Sequence, residues 1–247
     1  MGAAQARALA AGGWDVAIHC HVSCRAATAL ARDLAAEFGV RTVTVAADLG
    51  SVEEVDQLLP ACQEALQGPL TALVNNASTF EYDEVHDFDV DRFDATLRIN
   101  LTAPLMLARA LAQQGGRAVV NILDQKVENL NPDFFSYTVS KQALAAATRL
   151  LARALAPVRV CGVAPGLSLP SGDQTEAEFA AAHARAPLGR GSTPADIAGA
   201  VRFLLEAGAV TGQILVVDGG QHMLALERDV LFVQRAADRS GRGNGNG

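Results

Sequence analysis

The chain has 247 residues, half of them apolar, with a net charge of −7 and no long Lys/Arg run. That length allows one sizeable core. The charge disfavours nucleic acid or an anionic membrane surface as a partner, and no apolar run reaches the ~20 residues of a membrane span. The N-terminus lacks a basic-then-apolar signal pattern, so a cytoplasmic location is expected. Cys20, Cys24, Cys62 and Cys161 form no C-x-x-C pair and have no H-x-x-x-H partner. Neither a metal site nor a disulfide framework is indicated, and the four read as buried thiols.

Helix is expected over Ala3 to Ala11, strand over Val16 to His19, and helix over Ala26 to Phe38. Then follow strand Thr42 to Ala46, helix Val52 to Leu66, strand Ala72 to Asn75, and a long helix from Val90 to Gln113. The second half reads as strand Ala118 to Leu123, helix Phe135 to Leu155, strand Val158 to Val163, helix Pro194 to Glu206 and strand Gln213 to Val217. Short β-branched runs alternating with amphipathic Ala/Leu segments are the pattern of βαβ units, an α/β doubly wound parallel sheet in one domain.

Several strands run straight into polar or glycine residues: Ala47-Asp48, Asn75-Asn76, Asp124 and Pro165-Gly166. Ligands of an open parallel sheet bind at its carboxyl edge, so these positions converge on one crevice. A nucleotide-binding sheet of this type opens with a strand, a glycine-rich turn and a helix whose N-terminus meets the pyrophosphate. Here Met1-Gly2-Ala3-Ala4 already resembles the end of that turn, so the first strand is missing from the expected fold. A start assigned too late would explain this, and the coding region upstream would then specify an apolar strand and a Thr-Gly-x-x-x-Gly-like turn. The expected organisation is a domain over 1–223, an extension over 224–239 that could cover the pocket, and a disordered Gly-rich tail over 240–247.

Tyr137 and Lys141 are spaced i, i+4 on one expected helix, so the ammonium can lie near the phenol. A phenol has a pKa of about 10, and a neighbouring Lys⁺ favours phenolate, which would make the pair a tunable proton donor. Asp124, at a strand end, completes an acid, phenol and ammonium set. His86 and His183 read as solvated, and His222 as a surface residue that could approach a pocket.

The markers Asp48-Leu49, Asn75-Asn76-Ala77, Asn100, Tyr137 with Lys141, Val163-Ala164-Pro165-Gly166 and Val217-Asp218-Gly219-Gly220 occur in an order that resembles the short-chain dehydrogenase/reductase family. The resemblance runs from about Gly2 to Met223 and implies a Rossmann-like fold. It implies that Gly2 lies at the pyrophosphate turn, that Asp48 and Leu49 flank adenine, and that Asn76, Ala77 and Ser78 pack beside the cofactor ribose. Lys141 would hold the nicotinamide ribose beside Tyr137, Pro165, Gly166 and Leu167 would sit against the nicotinamide, and Asn100 would anchor a proton-relay water. The alternatives are a kink amide for Asn100 and an ordinary cap for Asp48. The family also implies a homodimer or homotetramer packed through the helices that contain Asn100 and Tyr137.

Asp124 stands where most of the family has serine, and Ser78 follows Asn75-Asn76-Ala77 where most have glycine. With Phe80, these residues look like the pteridine reductase and dihydromonapterin reductase branch. That likeness implies that Phe80 stacks a flat pterin, although the ring could simply cover a pocket lip. An ionised aspartate only accepts hydrogen bonds, which suits ketone reduction poorly, whereas a carboxyl/phenol pair can pass a proton to a ring nitrogen as hydride reaches carbon. The carboxylate would also oppose phenolate formation, coupling the two titrations. Alternatively, Asp124 is a structural acceptor.

After the second strand of such a fold an NAD site carries Asp or Glu; here the stretch is His19-Cys20-His21-Val22-Ser23 with Arg25 close behind. Without an acid, His21, Ser23 and Arg25 can meet a 2′-phosphate, which favours NADP(H), although Arg25 reads equally as a solvated first-turn residue. The expected activity is NADPH-dependent reduction of a pterin-like C=N bond, with Asp124, Tyr137, Lys141 and Asn100 as catalytic set and Phe80, Asp124 and Tyr137 at the substrate. The alternatives are an NADP-dependent carbonyl reductase or alcohol dehydrogenase of another metabolite, and a truncated homologue that binds a partner without catalysis.

Overall fold

The computed structural model describes residues 1–170, 174–230 and 232. Helix α1 (Gly2–Ala11) leads to β1 (Val16–Cys20), α2 (Cys24–Phe38), β2 (Thr42–Ala46), α3 (Val52–Leu66) and β3 (Ala72–Asn75). Next come α4 (Val90–Leu97), a π-helical segment (Arg98–Thr102), α5 (Ala103–Gln113) and β4 (Ala118–Ile122). A 3₁₀ turn (Gln125–Val127), α6 (Phe135–Ala154), β5 (Arg159–Pro165), α7 (Glu176–His183), α8 (Pro194–Glu206), β6 (Ile214–Val217) and a 3₁₀ turn (Gln221–Met223) complete the order.

Local chemistry accounts for several boundaries. Ser51 caps α3 by accepting from the Glu54 amide, with Glu53 and Glu54 in the first turn where the helix dipole favours acid. Thr193 and Asp196 form a capping box at the start of α8, with Pro194 in its first turn. The expected long helix over 90–113 is interrupted at Asn100. Its amide donates to the Thr79 carbonyl and to Ser140 Oγ, both at 3.0 Å, within the π turn. A widened turn of this kind re-aims side chains without ending the helix.

All strand pairings are parallel, in a four-stranded sheet ordered β3-β4-β5-β6 and a two-stranded sheet ordered β1-β2. Every residue of β4 is buried, as a near-continuous apolar strand covered on both faces requires. Its one polar residue, Asn121, is satisfied: Asn75 Nδ2 donates to Asn121 Oδ1 at 2.8 Å, and Asn121 Nδ2 donates to Thr148 Oγ1 at 2.9 Å. Between β1 and β3 lies a cavity of about 530 Å³, lined by both facing strand edges and by Gln5, Leu9, Leu49, Leu58, Leu59 and Leu107 among others. The sheet therefore has the expected doubly wound form with a slot where a first strand would run.

Contrary to expectation, Cys20 and Cys24 are joined by a disulfide, with their Cα atoms 5.2 Å apart, because the end of β1 turns directly into the first turn of α2. Cys62 and Cys161 are buried free thiols as expected. His86 is exposed as expected, whereas His183 is half-buried, its Nε2 at 2.9 Å from the Ser192 carbonyl and its ring stacked on Phe179. The expected tail over 240–247 lies outside the described residues. Of the extension, residues 224–230 and 232 are described.

Candidate active site

Tyr137 lies in the first turn of α6, and Asp124 lies just past β4 in an extended conformation. Their side chains meet: the Tyr137 hydroxyl donates to Asp124 Oδ2 at 2.9 Å, and the Lys126 amide donates to Asp124 Oδ1 at 2.9 Å. Lys141, one turn beyond Tyr137, donates from Nζ to the Ile122 carbonyl at 2.8 Å. All three line one pocket of about 500 Å³ at the carboxyl edge of the sheet. Asn76, Ala77, Ser78, Phe80, Pro165, Gly166 and Leu167 line it as well, so the structure brings these expected site residues together.

Burial governs the proton affinities. It pushes the Asp124 carboxyl above its ordinary range, against the opposing pull of the Lys126 amide and the Tyr137 hydroxyl. Burial, reinforced by the Asp124 charge, raises Tyr137 well above its ordinary value. Burial also lowers Lys141 to about 8. Lys141 was expected to ease release of the phenolic proton, but in this structure burial, with the carboxylate second, holds the proton on. The lysine ammonium is 5.6 Å from the tyrosine ring centroid and is engaged with Ile122. The coupling of carboxyl and phenol read from the sequence is present.

Other expected residues lie apart from this pocket. Asn100 is almost wholly buried; both its N–H groups are engaged and Oδ1 accepts the Thr79 amide at 2.8 Å. It fits the kink-amide reading, holding the 76–80 loop and α6 in place rather than facing the pocket. Asp48 closes its own turn, accepting from the Gly50 amide at 2.8 Å, and Leu49 lines the slot. Gly2 also lines the slot, beside Asn76. His21, Ser23 and Arg25 are exposed at the end of β1 and the start of α2. Ser23, at the cap position, makes no side-chain cap bond, and no acid lies in the first turn of α2.

Phe80 is 40% exposed at the pocket lip. It stacks on Phe134, with centroids 4.2 Å apart, and meets Tyr137 edge-on at 4.7 Å. Phe134, Gln125, Lys126, Asp229 and Val230 were not anticipated. Lys126 was within reach of a sequence reading, as a charge two residues beyond Asp124 at a strand end. Nothing local marked Asp229. Gly166 lines the pocket, and a Cβ there would fall 2.6 Å from Asp218 Cβ, so the close packing of the turn against Asp218 requires glycine. Among the described residues no cluster of His, Cys, Asp and Glu suits a metal ion, and no helix is long and apolar enough to cross a membrane.

The family model described as enoyl-(acyl carrier protein) reductase matches residues 1–222. Among solved structures, the chain is similar to the FolM alternative dihydrofolate reductase 1 of Brucella suis in complex with NADP. The identity is 39%, the TM-score 0.85, and 90% of each chain is covered. The corresponding Brucella canis protein complexed with NADP is 38% identical, with a TM-score of 0.83, covering 92% of this chain and 91% of that one. A 3-oxoacyl-[acyl-carrier-protein] reductase of Synechocystis is 32% identical over 90% of this chain and 93% of its own. With its Asp124, Tyr137 and Lys141 side chains gathered at the carboxyl edge of a parallel sheet, the chain belongs to the short-chain dehydrogenase/reductase family.

Proposed function

We propose that the protein is an NADPH-dependent reductase of a planar, pterin-like C=N substrate. The observation that carries this reading is the hydrogen bond between Tyr137 and Asp124 beneath an aromatic lip of Phe80 and Phe134. Similarity to NADP-bound FolM proteins supports it. The residues present fit a dinucleotide. Asn76, Ala77, Ser78 and the Pro165-Gly166-Leu167 turn would hold its nicotinamide end, and Gly2 would stand at the pyrophosphate. Leu49 and Asp48 would stand near the adenine. Ser23, His21 and Arg25 would meet the 2′-phosphate, on a turn pinned by the Cys20–Cys24 bond. The cofactor supplies the hydride.

The chain's own residues manage the proton. The substrate nitrogen must gain H⁺ as the adjacent carbon gains hydride. Tyr137, kept protonated by burial and by Asp124, is a donor at that nitrogen, and Asp124, whose proton affinity burial raises above the ordinary carboxyl range, is placed to pass a proton on to it. Lys141 would bind the ribose hydroxyls and balance the pair's charge. Asn100 positions the loop that carries Ser78 and Phe80. A homodimer or homotetramer in the cytoplasm completes the proposal.

The test is NADPH oxidation by purified protein offered dihydropterins, dihydrofolate and a panel of ketones and 3-oxoacyl thioesters. Dihydropterin turnover is expected to fall about 100-fold in Asp124→Ser, with ketone turnover maintained or raised, since a positioned acid–base group contributes about 10²–10⁴-fold. Robust ketone turnover by the wild type without a pterin response would select a carbonyl reductase instead. Pterin turnover unaffected by Asp124→Ser would remove the carboxylate from the mechanism.

A further inference from the structure

The turn after β1 carries a covalent bond that the chemistry at Tyr137 and Asp124 does not use. Cys20 is the last residue of β1, 7% exposed, and its carbonyl accepts the Ala47 amide at 3.0 Å, so it is fixed in the sheet. Cys24 is the first residue of α2 and is half-buried, its carbonyl accepting the Thr28 hydroxyl at 2.9 Å. The disulfide closes a ring around His21, Val22 and Ser23 and holds the two Cα atoms 5.2 Å apart, where four extended steps would span roughly 13–14 Å. All three enclosed residues are exposed, Val22 to 86%. Packing therefore contributes little to the shape of this turn, and the bridge fixes it.

Two of the enclosed residues, His21 and Ser23, together with Arg25 in the first turn of α2, are those placed above at the 2′-phosphate of NADP(H). The bridge and the proposed phosphate ligands thus share one turn. The other cysteines do not compete in thiol exchange. Cys62 and Cys161 are buried, and burial pushes the Cys62 thiol up to about 11 and the Cys161 thiol above its ordinary value. The thiolate is the species that exchanges, so both are inert. A disulfide at an exposed turn is open to attack, and bridges of that kind are the labile, regulatory ones.

We propose that the Cys20–Cys24 bridge is a thiol–disulfide exchange site that sets the affinity of the turn for the cofactor 2′-phosphate, high with the bond closed and low with it open. The reductant is a dithiol. One of its thiolates attacks Cys24 Sγ, the more accessible sulfur, the S–S bond breaks, and Cys20 leaves as a thiolate that takes up a proton. The second thiol of the reductant then displaces Cys24 from the mixed disulfide. The bridge has gained two electrons and two protons, and the dithiol, now itself a disulfide, has lost them. With the bridge open, phosphate binding must order a turn that was ordered beforehand, and fixing the backbone of one residue costs about tenfold in affinity. The inference rests on the cofactor placement proposed above and adds its control. Because the rest of the cofactor does not meet this turn, only discrimination of the 2′-phosphate should change.

The test is calorimetric binding of adenosine 2′,5′-bisphosphate and of 5′-AMP, which differ only in the 2′-phosphate, to the whole chain before and after treatment with dithiothreitol. No turnover is required, and alkylation followed by peptide mass mapping reports whether the bridge is open. The oxidised protein is expected to prefer the bisphosphate by at least about tenfold. Reduction should cost about tenfold in bisphosphate affinity and leave 5′-AMP within about twofold. Cys24→Ser, which cannot form the bridge, should match the reduced protein and ignore dithiothreitol. Cys20→Ala should behave in the same way, which separates loss of the bridge from a local effect of either substitution. A bisphosphate preference that survives reduction and both substitutions would overturn the inference and leave the cofactor placement standing. Equal losses for the two ligands would mean general loosening and would also overturn it. No preference in either redox state would remove the cofactor placement and the inference together.

Discussion

Lys141 places an ammonium in the interior next to a phenol that burial and Asp124 keep protonated. Its proton affinity is lowered by that burial from 10.5 to about 8, so the sign of its effect on stability follows. Between about pH 8 and 10.5 the unfolded chain retains a proton that the folded chain has released, and stability must rise with pH across that window. Tyr137 acts in the opposite direction only above pH 10, where the unfolded phenol ionises and the folded one does not. Urea unfolding at pH 8 and 9.5 should therefore show wild type gaining about 1.5 kcal/mol relative to Lys141→Met, which has no proton to release. A constant difference between the two proteins over that interval would mean that the lysine is solvated. The triad itself was legible because strand-end and i, i+4 spacings fix direction: Asp124 leaves β4 toward the edge at which α6 begins. What could not be read was which neighbour dominates Tyr137, since the 2.9 Å bond to Asp124 and the burial of both groups are products of packing.

The link between the 3₁₀ turn and α6 is held by two carboxylates, Asp133 and Asp83. Phe134 adopts φ +55, in the left-handed region that a bulky residue rarely occupies, and this is what turns its ring against Phe80 and over Lys126. Asp133 holds the turn from its upstream side through Lys126 at its carbonyl and through Arg228 and the Asp229 amide at its carboxylate. From the downstream side, Asp83 accepts the Ser136 amide at 3.0 Å and bonds its hydroxyl. Burial works against the Asp133 charge, yet Arg228 and the Asp229 amide keep its pKa below the ordinary value. Asp133→Ala should cost about 2–3 kcal/mol in denaturant unfolding, because it takes the acceptor from the buried Asp229 amide and the nearest carboxylate from Arg228, which keeps only Glu84 and the Tyr82 hydroxyl. Asp133→Asn should cost less. A loss below about 0.5 kcal/mol for the alanine variant would show that the segment after β6 is not held there. Strands and most helices were readable to within a few residues because hydrophobic periodicity reports which face is buried. Helix α7 escaped because its EAEFAAAH stretch shows no clear apolar stripe. The Asp133–Arg228 pair spans 95 residues of sequence and leaves no periodic trace. The Cys20–Cys24 bond was missed for a related reason, since only the sharpness of the turn after β1 makes a four-residue separation bridgeable.

The division of the sheet into two and four strands concerns the molecule as a whole. Strands β1 and β3 each pair on one side only among the described residues, and the edges they turn toward the slot carry backbone donors and acceptors with no ladder partner there. Leucines from α1, α3 and α5 line the cavity between them, and the buried Gln5 Nε2 beside it has no hydrogen-bond partner. Unpaired polar backbone inside an apolar slot is unfavourable, and an extended apolar segment satisfies both demands at once through main-chain hydrogen bonds and side-chain burial. About five residues at roughly 3.3 Å each match the length of β1. A synthetic five- to seven-residue Val/Ala/Leu peptide, or the same segment joined through a glycine-rich turn ahead of Met1, should therefore raise the thermal midpoint. At 100 times its dissociation constant a ligand of the folded state contributes about 2.7 kcal/mol, which for a chain of this size is a shift of about 5–10 °C. The joined segment should also tighten NADPH binding, since its turn would meet the cofactor beside Gly2 and Asn76. Leu107→Asp, which places a charge in the slot, should abolish the gain from either form. If the midpoint moves equally with a scrambled polar peptide, or fails to move with the joined strand, the slot is not a strand site.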